Sequence, residues 1–150
     1  MKKYNAIYWL FLSHTLLTLP AYAGIQHCDF PDNLTNIRII LQINSMHNST
    51  TAETSYLRSL TFTETHIQDM NMTTGKTNQG TYQYVKLAKG IGLISVILTQ
   101  GPEQAIYKDL FVCKTSLEGK FIFSQRKGTI KPDLRQDIGS YVIQSPFPEE

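Results

Sequence analysis

Five residues of this 150-residue chain combine types and spacing that could hold a ligand: Tyr82, Tyr84, Tyr107, Asp109 and Phe111. Successive side chains of an extended strand point to opposite faces. Tyr107, Asp109, Phe111 and Cys113 therefore share one face, and Tyr82 shares another with Tyr84. A carboxylate turned inward among aromatic rings requires a Lys, an Arg or a Tyr hydroxyl as partner, and could orient a ligand. A bulge would turn the same acid out to solvent, and the cost of unpaired interior charge favours that outward placement. The aromatic residues, with Phe121, Phe123 and Tyr141, either fill a core or line a pocket that tyrosine hydroxyls make polar.

Other chemistry finds no assembled signal. His27, His47 and His66 have no partner His or Cys at metal-ligand spacing, so no metal is expected. There is no Gly-x-Ser-x-Gly elbow, and Gly90-x-Gly92 lacks the rest of a phosphate-binding loop, so no cofactor is expected. The acids Glu53, Glu64, Asp69, Glu103, Asp109, Glu118, Asp133 and Asp137 are scattered, whereas a glycosidase needs two facing each other across a cleft. No catalytic residue is assigned.

The compartment is read from the first residues. Lys2 and Lys3 precede the apolar stretch Ala6–Leu19; Pro20 ends it, and Ala21-Tyr22-Ala23 offers the small-x-small pattern of a signal-peptidase site. Cleavage between Ala23 and Gly24 is expected, with residues 1–23 a Sec-type signal peptide and 24–150 a single domain ending in a loose tail over 144–150. The apolar stretch is shorter than a bilayer span and interrupted by polar residues, so no stable membrane insertion is expected after cleavage. The 14 basic residues, less Lys2 and Lys3, leave 12 against 12 acids, a balance that excludes an electrostatic nucleic-acid binder. Cys28 and Cys113 are the only cysteines, and in an oxidising compartment, periplasmic or extracellular, two thiols pair. A nucleophilic Cys28 activated by His27 is the competing reading, weakened because catalytic Cys and His meet through the fold and not as neighbours.

Period-two alternation runs through the mature chain and predicts strands. Ile37–Ile43, Leu60–Phe62, His66–Met72, Tyr82–Val85, Tyr107–Cys113, Phe121–Phe123 and Gly139–Ile143 alternate, while Ile91–Thr99 is so continuously apolar that burial on both faces or a place in mid-sheet is expected. Polar loops are expected over Asn44–Ser55 and Thr73–Gly80, turns at Lys89-Gly90, Gln100–Pro102 and Glu118-Gly119, and one short helical turn within Thr129–Gln136. Eight short strands joined in order must bury one face. Closure into a barrel removes the exposed edges and leaves an interior for side chains or one small ligand. The fold class is all-β, a single eight-stranded antiparallel meander barrel, with a β-sandwich as the alternative.

The second half carries a further pattern: Gly80-Thr81-Tyr82-Gln83-Tyr84, the Ile91–Leu98 strand, Tyr107-x-Asp109-x-Phe111, Leu117-Glu118-Gly119-x-Phe121 and Gly139-x-Tyr141-x-Ile143. This order, from Gly80 to Ile143, resembles the calycin-like, or lipocalin-like, β-barrel unit of exported bacterial proteins. Leu34–Ile43 and Leu60–Phe62 fit its first strands. The resemblance implies a fold and transfers no catalytic motif.

The functional expectation is a non-enzymatic exported binding module. It would present the loops Asn44–Ser55 and Thr73–Gly80 to a protein partner, or hold a small apolar ligand in the barrel. The alternative is a barrel enzyme of cyclase or isomerase type using Asp109, Tyr82 and Tyr84. The enzyme requires Asp109 in a solvent-reachable cavity; the protein binder requires a filled barrel and an exposed apolar patch.

Overall fold

A computed structural model describes residues 28–44, 56–100, 103–128 and 133–144. The expected signal segment, its Ala23/Gly24 cleavage site and the 145–150 tail lie outside the described residues, as does nearly all of the Asn44–Ser55 loop. Eight strands run in chain order: β1 Arg38–Asn44, β2 Tyr56–Phe62, β3 His66–Asn71, β4 Thr77–Ala88, β5 Ile91–Gln100, β6 Glu103–Cys113, β7 Glu118–Lys127 and β8 Arg135–Gln144. Each pairs antiparallel with the next, and β8 pairs with β1 to close the barrel, so the meander expectation holds and the sandwich does not. Among the described residues there is no helix.

The inward parity follows the apolar residues. Ile39, Leu41 and Ile43 of β1 are buried, as are Leu60 and Phe62 of β2, and Ile67 of β3. Of the two expectations for β5, the mid-sheet place holds, between β4 and β6, and burial on both faces does not. Ile94, Val96 and Leu98 point inward while Ile97 is 46% exposed, because closure turns alternate residues of every strand outward. The Thr73–Gly80 segment is a loop only at its start, since β4 already begins at Thr77 and the reversal is made by residues around Gly75, whose φ of 72° suits glycine. Glu118-Gly119 opens β7 rather than forming a turn of its own, and Arg135-Gln136 open β8 where a helical turn was considered.

The barrel has two unlike ends. At one, which we call the floor, residues 28–37 fold back across the opening. Phe30 donates its backbone N–H to the Lys89 carbonyl, and Asn36 donates to that of Phe62. The Phe30 ring lies 5.4 Å from Phe111 and 5.8 Å from Tyr141, and Phe111 lies 5.9 Å from Phe121. Gly92 makes room for this plug: a Cβ there would stand 2.6 Å from the Phe30 ring. The expected Cys28–Cys113 disulfide is present, with Cα atoms 5.8 Å apart, and ties the segment to the end of β6. Lys86 adds ion pairs with Asp29 and Asp32 at 2.7 and 2.6 Å. At the other end, the mouth, β1, β3, β5 and β7 finish.

Candidate binding site at the barrel mouth

The mouth is polar because the inward positions nearest it carry charge. Arg58 has the parity of Leu60 and Phe62, and Asp69 that of Ile67, so both point inward. The β2–β3 register places Arg58 opposite Asn71 and Asp69 opposite Leu60, which makes Arg58 and Asp69 diagonal neighbours on the inner face. Arg58 donates through Nε to Asp69 Oδ1 at 3.0 Å and through Nη2 to Oδ2 at 2.5 Å, a bidentate pair. The Tyr107 hydroxyl donates to Asp69 Oδ2 at 3.1 Å. The guanidinium lies 5.0 Å from the Tyr107 ring centroid and 5.3 Å from that of Phe123, so its faces are covered as well. A second pair follows on β8, where Arg135 donates to Asp137 at 2.6 Å and reaches the Tyr56 hydroxyl at 3.3 Å.

Electrostatics lock this set in one state. Burial by itself would lower the Arg58 pKa, but the Asp69 carboxylate overrides it and holds the guanidinium protonated, well above its ordinary range. Burial, reinforced by the Asp69 charge, keeps the Tyr107 hydroxyl protonated and therefore a donor. Above the pair is a cavity of about 140 Å³, bordered by Tyr56, Arg58, Asp69, Asn71, Thr74, Lys76, Asn78, Tyr107 and Gln125, with Leu98 and Ala105 as its apolar wall. That is close to the ~150 Å³ known to accept a benzene-sized molecule, here with donors and acceptors around it.

The residues singled out by spacing are distributed over both ends. Tyr107 borders the mouth cavity. Phe111 is fully buried in the floor. The Tyr84 hydroxyl donates to the Pro31 carbonyl at 2.5 Å and the Tyr82 hydroxyl to the Thr63 carbonyl at 2.8 Å, so both bond to backbone at the floor. Asp109 departs from the outward placement that charge burial favoured. No bulge interrupts β6 between Tyr107 and Cys113, so the acid keeps their inward parity and is 0% exposed. Among the described residues neither of its oxygens has a hydrogen-bond partner. Burial pushes its pKa up to about 7, opposed by Arg58 and assisted by Asp69. It does not border the mouth cavity.

Arg58, Asp69, Arg135 and Asp137, which build the site, carry no motif spacing. Their signal is parity with apolar neighbours in the same strand. Among the described residues no cluster of three or more His, Cys, Asp or Glu could hold a metal. No protein-family model matches the chain, nor does any curated protein or solved structure.

Proposed function

We propose that the protein is an exported, non-enzymatic binding module of calycin-like fold, acting in the periplasm or outside the cell. Its mouth takes a small polar ligand carrying both donor and acceptor groups. The observation that supports this most is the Arg58–Asp69–Tyr107 set, held by bidentate and hydroxyl hydrogen bonds directly beneath an open cavity. A ligand meeting such a set encounters oriented groups and does not bear the cost of ordering them. Leu98 and Ala105 add an apolar wall to the same cavity, and the floor half of the interior is filled by aromatic rings. The enzyme alternative has the raised Asp109 pKa in its favour. It requires substrate to reach a fully enclosed carboxyl to which neither the Tyr82 nor the Tyr84 hydroxyl donates, both being bonded to backbone carbonyls.

The test is native mass spectrometry of mature protein purified from its producing cells, followed by binding titrations with amino acids, polyols and sugars. An adduct retained by the wild type and lost in the Arg58→Met/Asp69→Leu double variant supports the reading. The absence of both an adduct and any titratable binding overturns it.

A further inference from the structure

The outer surface of the barrel is uneven. On β1–β3 the outward positions are mostly polar, with Arg38, Gln42, Ser59, Thr61, His66 and Gln68 among them. On β4–β8 the registers bring Val85 opposite Leu93, Leu93 opposite Leu110, Leu110 opposite Ile122 and Ile122 opposite Ile138. Five apolar side chains thus stand in one row across five strands. Val85, Ile122 and Ile138 are 52, 40 and 48% exposed. Isolated surface hydrophobes are ordinary, but a contiguous row marks an interaction face.

Charge identifies what it faces. Around the row stand Lys108, Lys120, Arg126 and Lys127, all exposed and without an ion pair among the described residues. The described outward acid of these strands is Glu118, which Lys114 holds at 3.1 Å. Lys108 and Arg126 sit on the divide between two shallow hollows of about 240 and 540 Å³, the first floored by Ile97 and Ile106.

We propose that the outer face of β4–β8 docks an extended, acidic and apolar segment of a partner protein. Its apolar side chains would lie along the Val85–Ile138 row and its carboxylates on Lys108 and Arg126. A second copy meeting this face through the same patch would bring like charges together. A lipid surface fits the shape poorly. Neighbouring strands of an eight-stranded barrel turn by about 45° around the axis, so the row wraps about half the circumference, and a flat bilayer meets only part of it. A chain of six or seven extended residues, at ~3.3 Å each, follows an arc of about 19 Å across strands ~4.8 Å apart.

The test is independent of the mouth ligand. Isotope-labelled mature protein is titrated with a ten-residue peptide of Leu and Val at its centre and Glu at both ends, with the same peptide carrying Lys for Glu, and with vesicles of phosphatidylglycerol and phosphatidylcholine. The expected result is amide shifts confined to β4–β8 with the acidic peptide. The affinity should fall at least tenfold in Lys108→Glu/Arg126→Glu, a surface pair whose unchanged melting temperature confirms the fold. Ile122→Asp should give a comparable loss. Equal binding of the basic peptide, shifts with vesicles alone, or concentration-dependent self-association would each overturn the proposal, as would silence with the acidic peptide.

Discussion

At the floor, Phe30, Phe111, Phe121 and Tyr141 pack ring on ring beneath a disulfide; at the mouth, the Arg58–Asp69 pair and the Tyr56 and Tyr107 side chains border an open cavity, with the Arg135–Asp137 pair bonded to the Tyr56 hydroxyl. The same eight strands reach both ends, so the difference lies in their inward residues and in the segment 28–37 that closes only the floor. Apolar burial is non-directional and stabilises in proportion to area, whereas ion pairs hold geometry at little net gain once desolvation is counted. The floor is therefore built for stability and the mouth for orientation.

The largest effect should come from the floor. Reduction, or Cys113→Ser, releases a loop spanning a sequence separation of 85 and should cost about 4 to 5 kcal/mol on the chain-entropy model, read by urea unfolding with and without reductant. Phe30→Ala should cost a similar ~3–5 kcal/mol. If either left stability unchanged, the segment 28–37 would be a passive strap and the contrast between the ends would collapse.

Asp109 lies between the two ends and sharpens the boundary. Its native pKa of about 7 exceeds the ordinary 3.8, so between those values the native state binds more proton than the unfolded chain. Its contribution to stability is complete below about pH 4 and is lost as pH rises to 7, of the order of 4 kcal/mol in all. Asp109→Asn should remove that fall, seen as the difference between wild-type and variant unfolding curves from pH 4 to 8. Identical pH profiles would mean that the carboxyl finds a partner in solution.

Breaking one mouth pair should cost slightly less. Asp69→Asn leaves Arg58 buried without its counter-charge and should destabilise by about 3 kcal/mol, whereas Arg58→Met/Asp69→Leu should recover most of that in the same melt. A double variant as unstable as the single would show that the mouth is structural. The smallest effect belongs to Asn78→Ala at the cavity wall, expected within about 0.5 kcal/mol in stability. Its readout is ligand affinity.

Alternation made the strands legible, and the expectation that the only two cysteines pair made the disulfide legible. The mouth was harder to read. In Tyr56–Phe62 the single Arg58 looks like any surface charge, and only the parity it shares with Leu60 and Phe62 turns it inward. Its pairing with Asp69 depends further on the β2–β3 register, which a tight reversal at residues 63–65 sets and composition does not. The floor plug escaped periodicity altogether, because residues 28–37 form no strand before Arg38. Asp109 was misplaced for a physical reason. A lone interior carboxyl is costly, but it can be accommodated by taking up a proton.

The β1–β8 ladder, which joins Arg38 to Gln144, also governs the order of events during folding. The strand nearest the first described residue finds its second neighbour only when the last strand is available. Until then the sheet is open, and the Phe30 plug lacks Tyr141. Closure by so distant a pairing places this barrel among slow-folding, high-contact-order topologies, with millisecond-to-second kinetics. A chain that closes this late keeps β1 and β8 as unpaired edges, open to pairing with another chain, until its last strand is made.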